Sequence, residues 1–196
     1  MANENPEKSN HRTIKILLII FSVILLILIA FVAGVMIRKS PVEIILENPM
    51  KAIIIANTNV AGEVNLKKVI EQGEIEFNED YINYILAALG TNYLHKSILG
   101  KSPVLELVLG EQVWNSEISG GMPQSKIGEI DNEDLRITLS KEEAVKAIVS
   151  PEIKQFMKDS VANGNTKIEL IAGKVDLFSK GYLEMYNKLT GEEIKG

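Results

Sequence analysis

The sequence offers few side chains that could carry catalytic chemistry. It contains no cysteine and two histidines, His11 and His95, which excludes a thiol nucleophile and any cysteine-based metal site. His95 falls near the end of a predicted helix, where a histidine commonly interacts with the last carbonyl groups. No glycine-rich phosphate loop, HExxH or GxSxG motif is present, although these patterns are typical of nucleotide, zinc and serine-hydrolase chemistry. We therefore expect a protein that is not an enzyme and has no catalytic residues, metal or cofactor.

The acidic side chains bear on two possible partners, a calcium ion and nucleic acid. The run Glu129, Asp131, Glu133 and Asp134 has enough oxygen atoms for a calcium ion, but it lacks the glycine and the closing glutamate of an EF-hand loop. We interpret this run as a solvated loop. Residues 40–196 carry 16 basic and 24 acidic side chains, a net charge of about −8. Such a domain repels phosphate backbones, so nucleic acid is not an expected partner.

Apolar side chains at helical spacing are the remaining candidates for a binding site. They form stripes on two predicted helices in the last third of the chain, and both core packing and the lining of a ligand cavity explain such stripes. Methionine is unbranched and adapts to variable apolar shapes. The candidate ligand contacts are Phe156, Met157, Val175, Phe178, Tyr182, Met185 and Tyr186.

The elements that carry these stripes have clear local signals. Ser140 and Glu143 form a capping box that opens a helix over Lys141 to Val149. Ser150-Pro151 starts a second helix, which we expect to end at Asn163-Gly164. The segment TKIELIA predicts a strand, and Lys174 to Leu189 predicts a last amphipathic helix.

The middle of the chain predicts strands. From Pro103 the period of apolar residues is two, and VLELVL, Gly110-Glu111 and QVWNSEI indicate a hairpin. We expect SGGMPQSK to be a loop and Leu135 to Leu139 to be a further strand.

The first part of the domain is predicted less uniformly. Asn78 is an N-cap for an amphipathic helix that extends to about Lys96. Lys51 to Gly73 is ambiguous, because AIII fits a strand and VNLKKVIEQG fits a short helix. The fold class is therefore α+β, with a mostly antiparallel or mixed sheet covered by helices.

The segment Ile16 to Ile37 has 22 residues without a charge, and we predict that it is a single transmembrane helix. Such a helix reaches about 33 Å, enough for a hydrocarbon core of about 30 Å. A cleaved signal peptide usually has a shorter apolar core, and a buried soluble helix would need apolar neighbours on every side. The predicted organisation is a polar tail at 1–13, the membrane helix at 14–38, a stalk at 39–50 and the α+β domain at 51–196.

The charges beside this segment indicate its orientation. Lys8, Arg12 and Lys15 precede it, and Arg38 and Lys39 follow it. By the positive-inside rule, the tail lies in the cytoplasm and the domain lies outside, attached to the cell membrane. The absence of cysteine and of Asn-x-Ser/Thr sequons, with a cation set that is almost all lysine, is typical of a prokaryotic source.

The order of elements from Val104 to Leu189 resembles the sterol carrier protein family. A strand hairpin is followed by DLRITLSKEEAVKAI, a helix, the segment NGNTKIELIAGKVDLF and an apolar terminal helix. The resemblance implies an α+β fold that binds lipids without catalysis or a cofactor.

Two functions of different classes fit the sequence. The first is a membrane-anchored, non-catalytic domain that binds an apolar ligand, a lipid, at the membrane surface, where tethering raises the effective concentration. The second is an envelope interaction or scaffolding module with a protein partner. An exposed apolar patch around Trp114 or Tyr182 would favour the second.

Overall fold

The computed structural model describes residues 20–26, 46–97 and 99–190. Its contacts divide the chain into two units, Met1–Ser40 and Pro41–Gly196, which are described separately. In the first unit, residues 20–26 are helical and their six large apolar side chains are exposed. No helix among the described residues is long and apolar enough to cross a membrane. Most of the predicted span Ile16 to Ile37, the whole tail and most of the stalk lie outside the described residues, and these assignments stay predictions.

The second unit begins with three helices: α1 (Lys51–Ala56), α2 (Leu66–Ile75) and α3 (Glu79–Leu89), the last followed by a 3-10 turn at Thr91–Tyr93. The strand interpretation of AIII is wrong, because Met50 and Ile53 are buried one helical turn apart. Helix α2 continues past Gly73, where the missing side chain makes room for Met50: a Cβ there would lie 2.5 Å from Met50 Cε. Asn78 caps α3 as predicted, but Gly90 ends the helix in the left-handed conformation, before Lys96.

Five strands form one mixed sheet: β1 (Val104–Leu109), β2 (Gln112–Ser119), β3 (Met122–Ile127), β4 (Leu135–Leu139) and β5 (Lys167–Leu170). Their order is β3-β2-β1-β4-β5, with β1 and β4 parallel and the other pairs antiparallel. The predicted hairpin around Gly110 is confirmed. The predicted loop SGGMPQSK is wrong, because Gly120 and Gly121 make a second tight turn and the residues after them pair with β2 as β3.

Four helices complete the domain: α4 (Lys141–Val149), α5 (Ile153–Ala162), α6 (Lys174–Lys180) and α7 (Tyr182–Thr190). Ser140 caps α4 as predicted, accepting a hydrogen bond from Glu143 N, while the Glu143 carboxylate accepts one from Ser160 at 2.6 Å. The predicted single helix from Lys174 to Leu189 is wrong. Gly181, with φ +88°, ends α6 and separates it from α7.

The core lies on one face of the sheet. Leu105, Leu107 and Leu109 of β1 alternate toward it, together with Leu135, Ile137 and Leu139 of β4. Buried side chains of α3, α4, α5 and α7 complete the same apolar cluster. The opposite face carries polar side chains such as Glu106 and Arg136, which form an ion pair at 2.7 Å. The α+β class with a mixed sheet covered by helices is therefore confirmed.

Candidate binding groove

The stripe residues that the sequence nominates as ligand contacts separate into three groups. Met157, Tyr182 and Met185 are buried together in the core. Phe156 and Tyr186 are half-buried, and Phe156 packs against that core. Val175 and Phe178, on α6, are 81% and 62% exposed. Neither of the two grooves described below includes any of these seven residues, so their role as ligand contacts stays a prediction.

An open groove of about 530 Å³ lies between α1, α3 and the start of β3. One wall comprises the segment that enters α1 and the outer face of that helix, including Leu46, Ala52 and Ile55. The other wall comprises Tyr84 of α3 and Met122 of β3. We call this site the α1–α3 groove.

Hydrogen bonds fix the entry of α1. The Asn48 side-chain amide donates to Ile148 O at 2.9 Å, and its oxygen accepts from Met50 N at 2.9 Å. Because Met50 is completely buried and fills the space beside Gly73, α1 is attached to the core at its first turn. The wall of the groove is therefore set by the packing of α1.

The second wall is held by a bond between α3 and the edge strand. Asn83 Oδ1 accepts a hydrogen bond from Ser125 N at 3.1 Å. Pro123, on the same strand, has no N–H to offer. These two features leave fewer backbone N–H groups free at the edge of β3, which reduces its capacity to pair with another chain.

Charged groups lie at the rim of the groove and apolar groups line its walls. Glu47 and Lys51 pair at 2.9 Å, both exposed, and the hydrogen bond from Lys51, followed by its positive charge, lowers the pKa of Glu47. Asp80, in the first turn of α3, adds a further carboxylate. Among the described residues no group of His, Asp and Glu is placed to hold a metal ion. The arrangement suits binding of an elongated apolar molecule with a polar end.

A second, polar groove of about 460 Å³ adjoins the loop between α1 and α2. Three of its eight lining residues are asparagines, Asn57, Asn59 and Asn65. Asn59 Oδ1 accepts from both Ala61 N and Glu63 N at 2.9 Å. These side chains are engaged in building the loop itself.

Two carboxylates of the acidic run differ from the solvated-loop interpretation: Glu133 pairs with Arg136 and has a side chain only 10% exposed, and Asp134 lies deeper still. Glu129 and Asp131 are exposed as expected, but Asp134 is buried. Asp134 accepts hydrogen bonds from Lys180 Nζ at 2.5 Å and Val104 N at 2.8 Å, and Tyr182 Oη lies 3.1 Å away. Burial, followed by the charge of Asp134, raises the pKa of Tyr182. This network is closed to solvent, and we assign it to structure, not to binding.

Comparisons with known proteins leave the family of this chain open. No family model and no curated protein matches it. Among solved structures, the inverting sec-alkylsulfatase Pisa1 from Pseudomonas sp. matches with a TM-score of 0.34 and 14% identity, covering 60% of this chain; the chain spans 17% of that enzyme's length.

A second solved structure, described as UbiJ-SCP2 ubiquinone synthesis protein, matches with a TM-score of 0.30 and 8% identity, over 58% of this chain and 89% of that one. A structure that bears the sterol carrier (SCP2) name is thus among the similar ones. At these TM-scores neither similarity carries an argument about function.

Proposed function

We propose that this chain is a membrane-tethered, non-catalytic domain that binds an apolar ligand, a lipid, in the α1–α3 groove. The observation that carries the proposal is the groove itself, with apolar walls and a charged rim. Its volume of about 530 Å³ falls within the range of about 300–1,000 Å³ that is usual for small-molecule sites.

The lining fits a flexible aliphatic chain. Leu46 and Ile55 on one wall face a site that also contains Tyr84 and Met122. An aromatic ring and a methionine together accept apolar groups of differing shape. The ion pair of Glu47 with Lys51 lies at the rim, where a headgroup could remain in water.

The predicted anchor explains how the ligand is supplied. Residues 20–26 are helical and present apolar side chains to their surroundings, which is consistent with a membrane helix over Ile16 to Ile37. Eight residues, 38–45, separate that span from Leu46 in the groove wall. This short linker attaches the domain to the predicted anchor. Such tethering gives a high local concentration of lipid. In this proposal the domain lies outside the cytoplasm.

The test uses residues 41–196, which form a compact unit by their contacts. Ala52 is exposed and lines the groove, so Ala52→Trp fills it without disturbing the core. We expect the unaltered domain to bind the fluorescent fatty acid cis-parinaric acid, and Ala52→Trp to lose that binding by at least about tenfold, as expected for a blocked apolar site. Fluorescence titration measures both.

Ala56→Trp is the matched control. Ala56 is the other exposed alanine of α1 and lines the polar groove instead, so this variant should bind the fatty acid normally. Circular dichroism confirms that each domain is folded before titration. Equal binding by Ala52→Trp and the unaltered domain, or no binding by either, would contradict the proposed site.

A second candidate function is an interaction module, favoured by exposed apolar side chains near the other edge of the sheet. Trp114 and Tyr182, around which an exposed patch would favour this function, are both buried. The exposed apolar residues lie instead on α6, at Val175 and Phe178, with Ile171 just before that helix. A domain that purifies without lipid and cross-links to an envelope protein through α6 would favour this function.

A further inference from the structure

We infer that the loop between α1 and α2 is a membrane-docking tip, through which the domain rests on the bilayer that holds it. The inference rests on the proposed function in one respect, the anchor predicted at Ile16 to Ile37. It adds a second contact with the lipid surface, made by the folded domain itself.

Four exposed apolar side chains fall within twelve residues of this part of the chain. Val60, at the loop tip, has 111% of its reference exposure, and Ile55, Leu66 and Val64 are 64%, 55% and 36% exposed. A single exposed apolar residue needs no explanation, but a concentration of them commonly marks an interaction surface. We call these four residues the docking tip.

The loop is built so that it holds the tip outward. Thr58 and Val64 pair as an isolated antiparallel bridge, and Asn65 N donates to Asn57 O at 2.9 Å. Asn59 closes the turn between them, through its side chain and through Asn59 N, which donates to Glu63 O at 2.9 Å. Ile55 and Leu66 consequently flank the base of a short ordered hairpin whose end is Val60.

The loop lies close in sequence to the predicted membrane span, which favours the bilayer as the surface that it contacts. The described part of the second unit begins at Leu46, five residues before α1, and the predicted span ends at Ile37. Lys67 and Lys68, both exposed, follow Leu66 directly, and Lys67 lies 3.9 Å from the exposed Glu71. Lysines beside an apolar tip suit anionic headgroups. Glu63 is the acidic group in the loop, and it accepts a hydrogen bond from Asn59. Along the sequence, the apolar residues on α6 are separated from the span by more than one hundred residues more than the docking tip is.

The complete chain tests this inference, because it has no cysteine and one introduced thiol can be labelled alone. Val60→Cys, Val175→Cys and Lys154→Cys are each labelled with an environment-sensitive fluorophore in vesicles of phosphatidylethanolamine and phosphatidylglycerol. The vesicles contain lipid spin-labelled near the headgroup, because an interfacial apolar face inserts about 5–10 Å. We expect a blue-shifted emission and strong quenching at position 60, with neither at positions 154 and 175.

Several results would overturn the inference: an unquenched label at position 60, quenching at position 175 instead, or a chain that does not enter the vesicles. A label at position 60 that is shielded from water but not quenched by lipid would show a protein contact and would also overturn it.

Combining Val60→Cys with Ala52→Trp separates docking from ligand binding. Quenching that persists while fatty-acid binding is lost confirms the tip, and a domain that never binds fatty acid but is quenched at position 60 refutes the proposed function alone.

Discussion

The carboxylate of Asp134 connects three parts of the domain that are distant in the sequence. It accepts from Val104 N at the start of β1 and from Lys180 at the end of α6, and Tyr182 Oη lies 3.1 Å away at the start of α7. Lys180 and Asp134 are both almost completely buried. Removing two charges from water is costly, and the further contacts of Asp134 with Val104 N and Tyr182 Oη offset part of that cost.

We predict that Asp134→Ala lowers the free energy of unfolding by about 3–5 kcal/mol, because it leaves the Lys180 ammonium group buried without its counter-ion. The double variant Asp134→Ala, Lys180→Met should regain part of that loss, since no uncompensated charge remains. Urea unfolding of residues 41–196, followed by circular dichroism, measures both. A loss below about 1 kcal/mol, the size typical of an exposed ion pair, would contradict a buried network.

The sequence did not indicate this role for Asp134. It stands at the end of GEIDNED, a run whose composition is typical of a solvated loop, and its first residues do lie in solvent. What distinguishes Asp134 is Lys180, 46 residues later. A partner at that separation is brought close by the return of the chain through β5, which no local pattern specifies.

At the scale of elements, local sequence correctly predicted the helix starts and the turn that are specified by a capping residue or a glycine at that position. Ser140 caps α4, Asn78 caps α3, and Gly110 forms the turn of the β1–β2 hairpin. Two other predictions, for β3 and for the last helix, were wrong because tertiary packing and not local sequence determines these elements. β3 is polar, contains Pro123 and directly follows two turn glycines, so it resembles a loop, but it is an edge strand paired along β2.

The last helix was predicted as one element because its apolar spacing continues across Gly181. The break changes which side chains are inside: Tyr182, Met185 and Leu189 of α7 are buried, whereas Val175 and Phe178 of α6 are exposed. A continuous stripe in the sequence therefore corresponds to two differently exposed sets in the structure. Of the five candidate contacts on these helices, Val175 and Phe178 are exposed, Tyr182 and Met185 are buried, and Tyr186 is half-buried.

We predict that Gly181→Ala is more destabilising than Gly164→Ala. Both glycines have positive φ, +88° and +78°, and each alanine should cost about 1–2 kcal/mol for the left-handed backbone. A Cβ at Gly181 would also lie 2.3 Å from Tyr93 O, whereas nothing lies within 4 Å at Gly164. Overpacking should add ~1–3 kcal/mol at Gly181 alone. Thermal unfolding of the two variants checks this, and equal losses would show that the contact with Tyr93 relaxes without cost.

At the scale of the whole domain, the fold class was accessible from the sequence but the groove was not. Alternating and helical periods predict an α+β protein, as the structure shows. The groove includes Leu46 from the segment before α1, Tyr84 from α3 and Met122 from β3. These parts meet only when β3 is placed at the sheet edge. Since β3 was predicted to be a loop, the sequence could not bring these residues together.

Hydrogen exchange should follow the order of strands in the sheet. β1 is central, with β2 on one side and β4 on the other, while β3 and β5 lie at the edges. We predict that the amides of β1 exchange slowest and those of β5 fastest among the strands, because central strands open only with the whole domain. Mass spectrometry of deuterated peptides measures this order. Protection of β1 no greater than that of β5 would indicate that the sheet opens at its centre.

The parallel pairing of β1 with β4 also has a consequence for biosynthesis. Leu105 of β1 pairs with Leu135 of β4, thirty residues later, and β2 covers only the other side of β1. At about 5–20 residues per second, the ribosome needs roughly 2–6 s to make the missing neighbour. Throughout that interval the apolar strand VLELVL keeps the edge that will face β4 open, and this edge can pair with other nascent chains. A ribosome that pauses between these two strands would lengthen this exposure, and a chaperone that holds extended apolar segments would be most useful to the protein at that stage of its synthesis.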